Sequence, residues 1–99
     1  MIRVIIERYC KPGKEAQLRD LLKELRMAAM SQYGYISGET LCELDDPSLF
    51  IVISTWATLD AWRAWQVSQR RLLIEERIDS LITTEKKLRI LAFVYETEI

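Results

Sequence analysis

Gly34-Tyr35-Ile36-Ser37-Gly38-Glu39-Thr40-Leu41 leads through a Leu44-Asp45-Asp46-Pro47 turn into Leu49-Phe50-Ile51-Val52-Ile53-Ser54-Thr55-Trp56 and then Thr58-Leu59-Asp60-Ala61-Trp62-Arg63-Ala64-Trp65. Two β-type runs joined by an acidic, proline-containing turn predict a hairpin. Its first arm, Tyr35 to Glu43, alternates: Ile36, Gly38, Thr40 and Cys42 fall on one face, Tyr35, Ser37, Glu39 and Leu41 on the other. The second arm is apolar on both faces over Leu49 to Ile53, the pattern of an interior strand. Thr58 is the expected N-cap of the helix that follows, with Asp60 in its first turn. Trp62 and Trp65 are three apart and share a helical face, and Trp56 closes the strand before them. All 3 tryptophans therefore meet in one region, the expected aromatic wall of any ligand pocket.

Outward from this hairpin, Ile2 to Tyr9 reads as a strand rich in β-branched residues, with Ile2, Val4 and Ile6 on one side and Arg3, Ile5, Glu7 and Tyr9 on the other. Pro12-Gly13 stops it. From about Lys14 the period becomes helical, with Leu18, Leu21, Leu22, Leu25, Ala28 and Ala29 forming one stripe that ends near Ser31. Ser68 can cap a second helical segment after Trp65, whose predicted stripe is Leu72, Leu73, Ile74, Ile78, Leu81 and Ile82, so the expectation is one long helix bent near Ser68 or two in succession. Leu88 to Tyr95 reads as the last strand, apolar on both faces. The order is βαββαβ, an α+β chain of four strands whose helices cover one face of the sheet and leave the second in need of another cover.

The 99 residues form a single domain, 1-99, with 14 Lys plus Arg against 15 Asp plus Glu. That balance lacks the one-sided field that nucleic acid or an anionic membrane answers to. No stretch has the length of a membrane span, and the short N-terminal apolar run is broken by Arg3 and Glu7, so the expected location is cytoplasmic, with Cys10 and Cys42 as reduced thiols. There is no histidine, which removes the usual neutral-pH base and the commonest metal ligand. With no dinucleotide-type glycine pattern and no thiol cluster either, no flavin, haem or metal is expected.

Together the Gly34 to Thr40 run, the Asp45-Asp46-Pro47 turn, the Ser54-Thr55-Trp56 strand end, the Trp62 and Trp65 pair and the Ser68 to Arg71 spacing resemble the antibiotic biosynthesis monooxygenase domain. The resemblance implies a ferredoxin-like subunit with a four-stranded antiparallel sheet that pairs with a second copy as a dimeric α/β barrel. It also implies a cofactor-independent monooxygenase that oxidises a quinol, anthrone or related polycyclic phenol with molecular oxygen. Trp65 matches the helical tryptophan of the family's haem-degrading and quinone-forming members. The haem-degrading pattern also needs a first-strand asparagine and a histidine, whose positions fall at Ile6 or Glu7 and at Glu75. The quinone-forming pattern has an asparagine and a tyrosine where this chain has Ala61 and Arg71.

On this reading Trp65 stacks on the substrate, Arg71 holds a phenolate or developing superoxide, and Glu7 is the base, while Trp62, Tyr9, Tyr35 and Ser54 bind substrate. The same residues have plainer readings. Trp62 and Trp65 can be core, Arg71 a surface or intersubunit ion pair, Glu7 a rim or dimer contact, and both cysteines small buried hydrophobes. The function classes that follow are an oxygenase, a non-catalytic dimeric module for a small aromatic metabolite, and a structural dimer with a filled pocket.

Overall fold

A computed structural model describes residues 1–95 of the chain. It contains β1 (Ile2–Tyr9), α1 (Glu15–Met30), β2 (Tyr35–Cys42), β3 (Leu49–Trp56), α2 (Leu59–Gln66), α3 (Gln69–Asp79) and β4 (Lys87–Ala92). The strands form one antiparallel sheet in the order β2-β3-β1-β4, the ferredoxin-like arrangement. β3 lies inside the sheet, as its two apolar faces require. No helix among the described residues is long and apolar enough to cross a membrane.

Thr58 Oγ1 accepts from the Ala61 N–H at 3.1 Å, and Ser68 Oγ from the Arg71 N–H at 3.2 Å. Each hydroxyl satisfies a donor that the first helical turn leaves open, so the segment after Trp56 folds as two helices in succession. The last strand is shorter than its apolar pattern suggests, since Phe93 to Tyr95 are outside it.

One face of the sheet carries the core. Val4, Ile6, Phe50 and Trp56 pack under the α1 stripe of Leu18, Leu21, Leu22, Leu25, Ala28 and Ala29 and under Ile74 and Ile78 of α3. The predicted α3 stripe needs correction: Leu72 and Leu73 are exposed, and the buried positions are Arg71, Ile74, Glu75 and Ile78. Spacing decides this, because 71, 74, 75 and 78 share one side of a helix whatever their polarity. On the other face Ile5, Ile51 and Ile53 are half-buried and Leu41 and Leu91 exposed, with no helix of the described residues over them.

Candidate functional site

A cavity opens between the β2-β3 side of the sheet and helices α1, α2 and α3, lined by Trp56, Trp62, Trp65, Tyr35, Ser54 and Arg71 among others. Aliphatic side chains from Ile6, Leu22, Leu25 and Val52 complete its walls, and the exposed Arg26, Glu39 and Thr40 stand at its mouth. Its enclosed volume is about 40 Å³. Ligand pockets run to roughly 300–1,000 Å³, so an aromatic ligand enters only when a lining side chain moves.

Tyr35 forms part of that wall. The β2-β3 register pairs Tyr35 with Trp56 and Ser37 with Thr55, two steps along β2 against one along β3. This bulge turns Tyr35 onto the helix-covered face beside Gly38, where plain alternation puts it on the opposite side. The tyrosine ring stands edge-on to Trp56, with centroids 5.4 Å apart at 88°, and Trp56 meets Trp62 at 5.9 Å and 63°. A Cβ at Gly38 would come within 2.5 Å of the Tyr35 hydroxyl, so the missing side chain there gives the phenol its place. Ser54 Oγ accepts from the Trp56 indole N–H at 3.0 Å, while the buried Trp62 Nε1 has no partner.

Arg71 closes the inner end of the cavity. Its guanidinium lies 5.3 Å from the Trp62 ring centroid, donates to the Gln66 carbonyl at 3.2 Å, and meets Glu75 Oε2 at 2.9 Å across one helical turn. The same oxygen accepts from Arg8 Nη2 at 2.7 Å. Arg8, Arg71 and Glu75 are all within 5% of complete burial. Lys86 Nζ stands 3.6 Å from Glu75 Oε1 at the outer edge. Two desolvated guanidiniums thus share one carboxylate, and Arg8 Nε and Nη1 are left without acceptors. Burial lowers the Arg71 pKa, Glu75 opposes the fall, and Arg8 adds to it.

The fold brings together Trp62, Trp65, Arg71, Tyr35 and Ser54. It does not bring Glu7 or Tyr9 to them. Both alternate onto the uncovered face, where Glu7 pairs with Arg89 at 3.7 Å and Tyr9 is exposed, because the strand period sends every second side chain through the sheet. Cys10 is buried as expected of a small hydrophobe, but Cys42 is exposed; both are free thiols.

Arg8 and Glu75 are the residues that sequence reasoning passed over. Continuing the Ile2, Val4, Ile6 side of β1 by one step reaches Arg8, and Glu75 is four residues after Arg71, so the signal was present in both periods.

Residues 1–72 match the sequence profile of the antibiotic biosynthesis monooxygenase family. No curated protein sequence matches the chain. Among solved structures, a Mycobacterium tuberculosis protein superposes with a TM-score of 0.88 at 18% identity, covering 98% of each chain. A conserved protein from Methanosarcina mazei Go1 gives 0.86 at 21%, over 90% of this chain and 88% of that one. A mutant of SnoaB, a cofactor-independent oxygenase from Streptomyces nogalater, gives 0.83 at 17%, over 94% of this chain and 93% of its own. At such identities the likeness is one of fold.

Proposed function

The chain belongs to the antibiotic biosynthesis monooxygenase family, and on that premise we propose that it is a cofactor-independent monooxygenase that oxidises a quinol, anthrone or related polycyclic phenol with molecular oxygen. The observation that carries this reading is the cavity itself, whose lining combines three tryptophans and a tyrosine with a buried guanidinium. Aromatic walls bind a planar ring and exclude water, and Arg71 supplies a positive centre at the inner end. A bound phenolate or enolate is electron-rich enough to react with oxygen directly. With an anthrone, oxygen adds at the ring methylene carbon as a hydroperoxide, and loss of water leaves the quinone carbonyl. Trp65 stacks on the ring, Arg71 stabilises the negative charge as it moves to oxygen, and Ser54 and Tyr35 offer hydrogen bonds.

The test is oxygen uptake with an anthrone and quinol panel, using wild type beside Trp65→Phe and Arg71→Gln, with melting temperature recorded for each. Losses of tenfold or more in both variants, at an intact fold, support the roles; variants within twofold of wild type put the chemistry elsewhere. The small volume favours a second reading, a structural dimer whose own side chains fill the pocket, in which no aromatic ligand of the panel raises the melting temperature.

The working unit we propose is a homodimer joined through the uncovered sheet face. Half-buried Ile5, Ile51 and Ile53 beside exposed Leu41 and Leu91 leave an apolar surface with no cover among the described residues. Pairing two such faces buries an area of at least roughly 1,000 Å², enough for a stable interface.

A further inference from the structure

The side of α1 that faces the β2 edge of the sheet is basic along its length. Arg19, Lys23 and Arg26 follow one another at steps of four and three residues, so they stand in one row, about 10.5 Å from first to last along the helix axis. The acids of α1 are kept elsewhere. Asp20 and Glu24 line the hollow between α1 and α3, where Glu24 pairs with Arg77, and Glu15, one turn before Arg19, is not in the lining on the β2 side. None of the three basic residues in the row forms an ion pair among the described residues.

Opposite the row runs the outer strand. β2 is at the edge of the sheet, and its Thr40 and Cys42 pair with Val52 and Phe50, which belong to the helix-covered side. Both therefore look toward α1, since paired residues share a face. Between strand and row lies a groove of about 280 Å³, lined by the three cations, Thr40, Cys42 and the buried Phe50 among others. That is close to the roughly 300 Å³ at which ligand sites begin. The carboxylates of β2 and its turn do not neutralise it: Glu39 pairs with Ile53 on the uncovered face, and Glu43 accepts the Asp45 N–H at 2.8 Å. Arg26 and Thr40 also stand at the mouth of the aromatic cavity, so groove and cavity are continuous.

A single exposed ion pair gains little, and a monovalent anion has no reason to stay. Charges joined on one molecule add without a separate association cost for each. Two guanidinium forks with an ammonium between them suit phosphate or carboxylate oxygens. The row is also walled by β2 rather than displayed on a convex surface, which favours a small molecule over a protein segment.

We propose that this groove is a second binding site, for a small linear ligand with two or more phosphate or carboxylate groups, held by Arg19, Lys23 and Arg26 across from the Thr40 hydroxyl. It does not depend on what enters the aromatic cavity, and a ligand seated in it lies across that cavity's mouth.

Cys42 is an exposed thiol in the groove while Cys10 is buried, so alkylation of the full chain reads occupancy directly. The probes are tripolyphosphate, propane-1,2,3-tricarboxylate and inorganic phosphate at one ionic strength, with iodoacetamide as the neutral reagent and peptide mass spectrometry locating the label. Tripolyphosphate, the tricarboxylate or both should slow alkylation of Cys42 about fivefold, with half-effect below about 1 mM and matching heats in calorimetry. Protection by one alone assigns that chemistry to the site. Arg19→Gln, Lys23→Gln and Arg26→Gln together should weaken binding about tenfold or more, with circular dichroism confirming the fold, whereas Arg70→Gln, an exposed cation on α3, should change nothing. Neither protection nor heat from either polyanion at about 10 mM overturns the proposal. Equal protection by inorganic phosphate overturns it too, since only a diffuse field is then at work. So does protection that persists in the folded triple variant, and hexaglutamate binding more tightly than both small polyanions makes the row a docking face for an acidic protein segment instead.

Discussion

Gly34 has a φ of 86°, and a Cβ placed there would collide with Ala61 Cβ on α2. The left-handed backbone and the close approach both demand glycine, so Gly34→Ala should destabilise the fold by at least about 2 kcal/mol in urea titration. Glu75 makes a comparable case through charge. Glu75→Gln leaves Arg8 and Arg71 facing each other with no carboxylate, for an expected loss of about 3–5 kcal/mol by the same measurement. Replacing Arg8 and Glu75 together with Met and Leu should recover only part of that loss, since it removes one of the two guanidiniums that Glu75→Gln leaves unpaired while Arg71 still lacks its carboxylate. The cysteines differ by environment. Burial, and then the Glu15 carboxylate, raise the Cys10 thiol pKa, whereas Cys42 is exposed. The folded state therefore favours the protonated Cys10, a contribution complete below the pKa of a free thiol and lost as pH rises above it. Native protein should show one rapidly alkylated thiol at pH 7.5 and two after denaturation, and mass spectrometry of the peptides should place the first at Cys42.

At the scale of the element, the hydroxyl of Ser68 both starts α3 and seats the backbone of Arg71. Ser68→Ala should cost about 1 kcal/mol of stability, and Ser68→Asp should retain most of it because a carboxylate also caps and suits the helix dipole. If the two variants melt together, the cap is not what sets the start of α3. Both helix starts after Trp56 were readable from Thr58 and Ser68 because capping is local chemistry. The face of β2 on which Tyr35 sits was not readable, because one extra residue at the bulge reverses the alternation and nothing between Tyr35 and Gly38 announces it. The burial of α3 was misread for a related reason. Hydrophobicity pointed to Leu72 and Leu73, but Arg71 and Glu75 bury with Ile74 and Ile78 once Arg8 stands opposite to complete their charges.

Over the whole molecule, the helices cover one face of the sheet and the proposed dimer covers the other. A charge at the centre of the uncovered face should separate the protomers, so Ile51→Glu should sediment as a monomer where wild type sediments as a dimer at micromolar concentration. A wild-type monomer, or an Ile51→Glu dimer, removes that face as the interface. The amino-acid sequence by itself determined the element order, the caps, the interior position of β3 and the gathering of the three tryptophans, because periodicity, turn chemistry and capping act over a few residues. Only the tertiary structure decided that Arg8 meets Arg71 through Glu75, that Tyr35 turns inward, and that Glu7 and Tyr9 stand away from the cavity. Those outcomes depend on strand register and on contacts between distant residues, such as Arg8 and Glu75 67 positions apart, which no local pattern encodes.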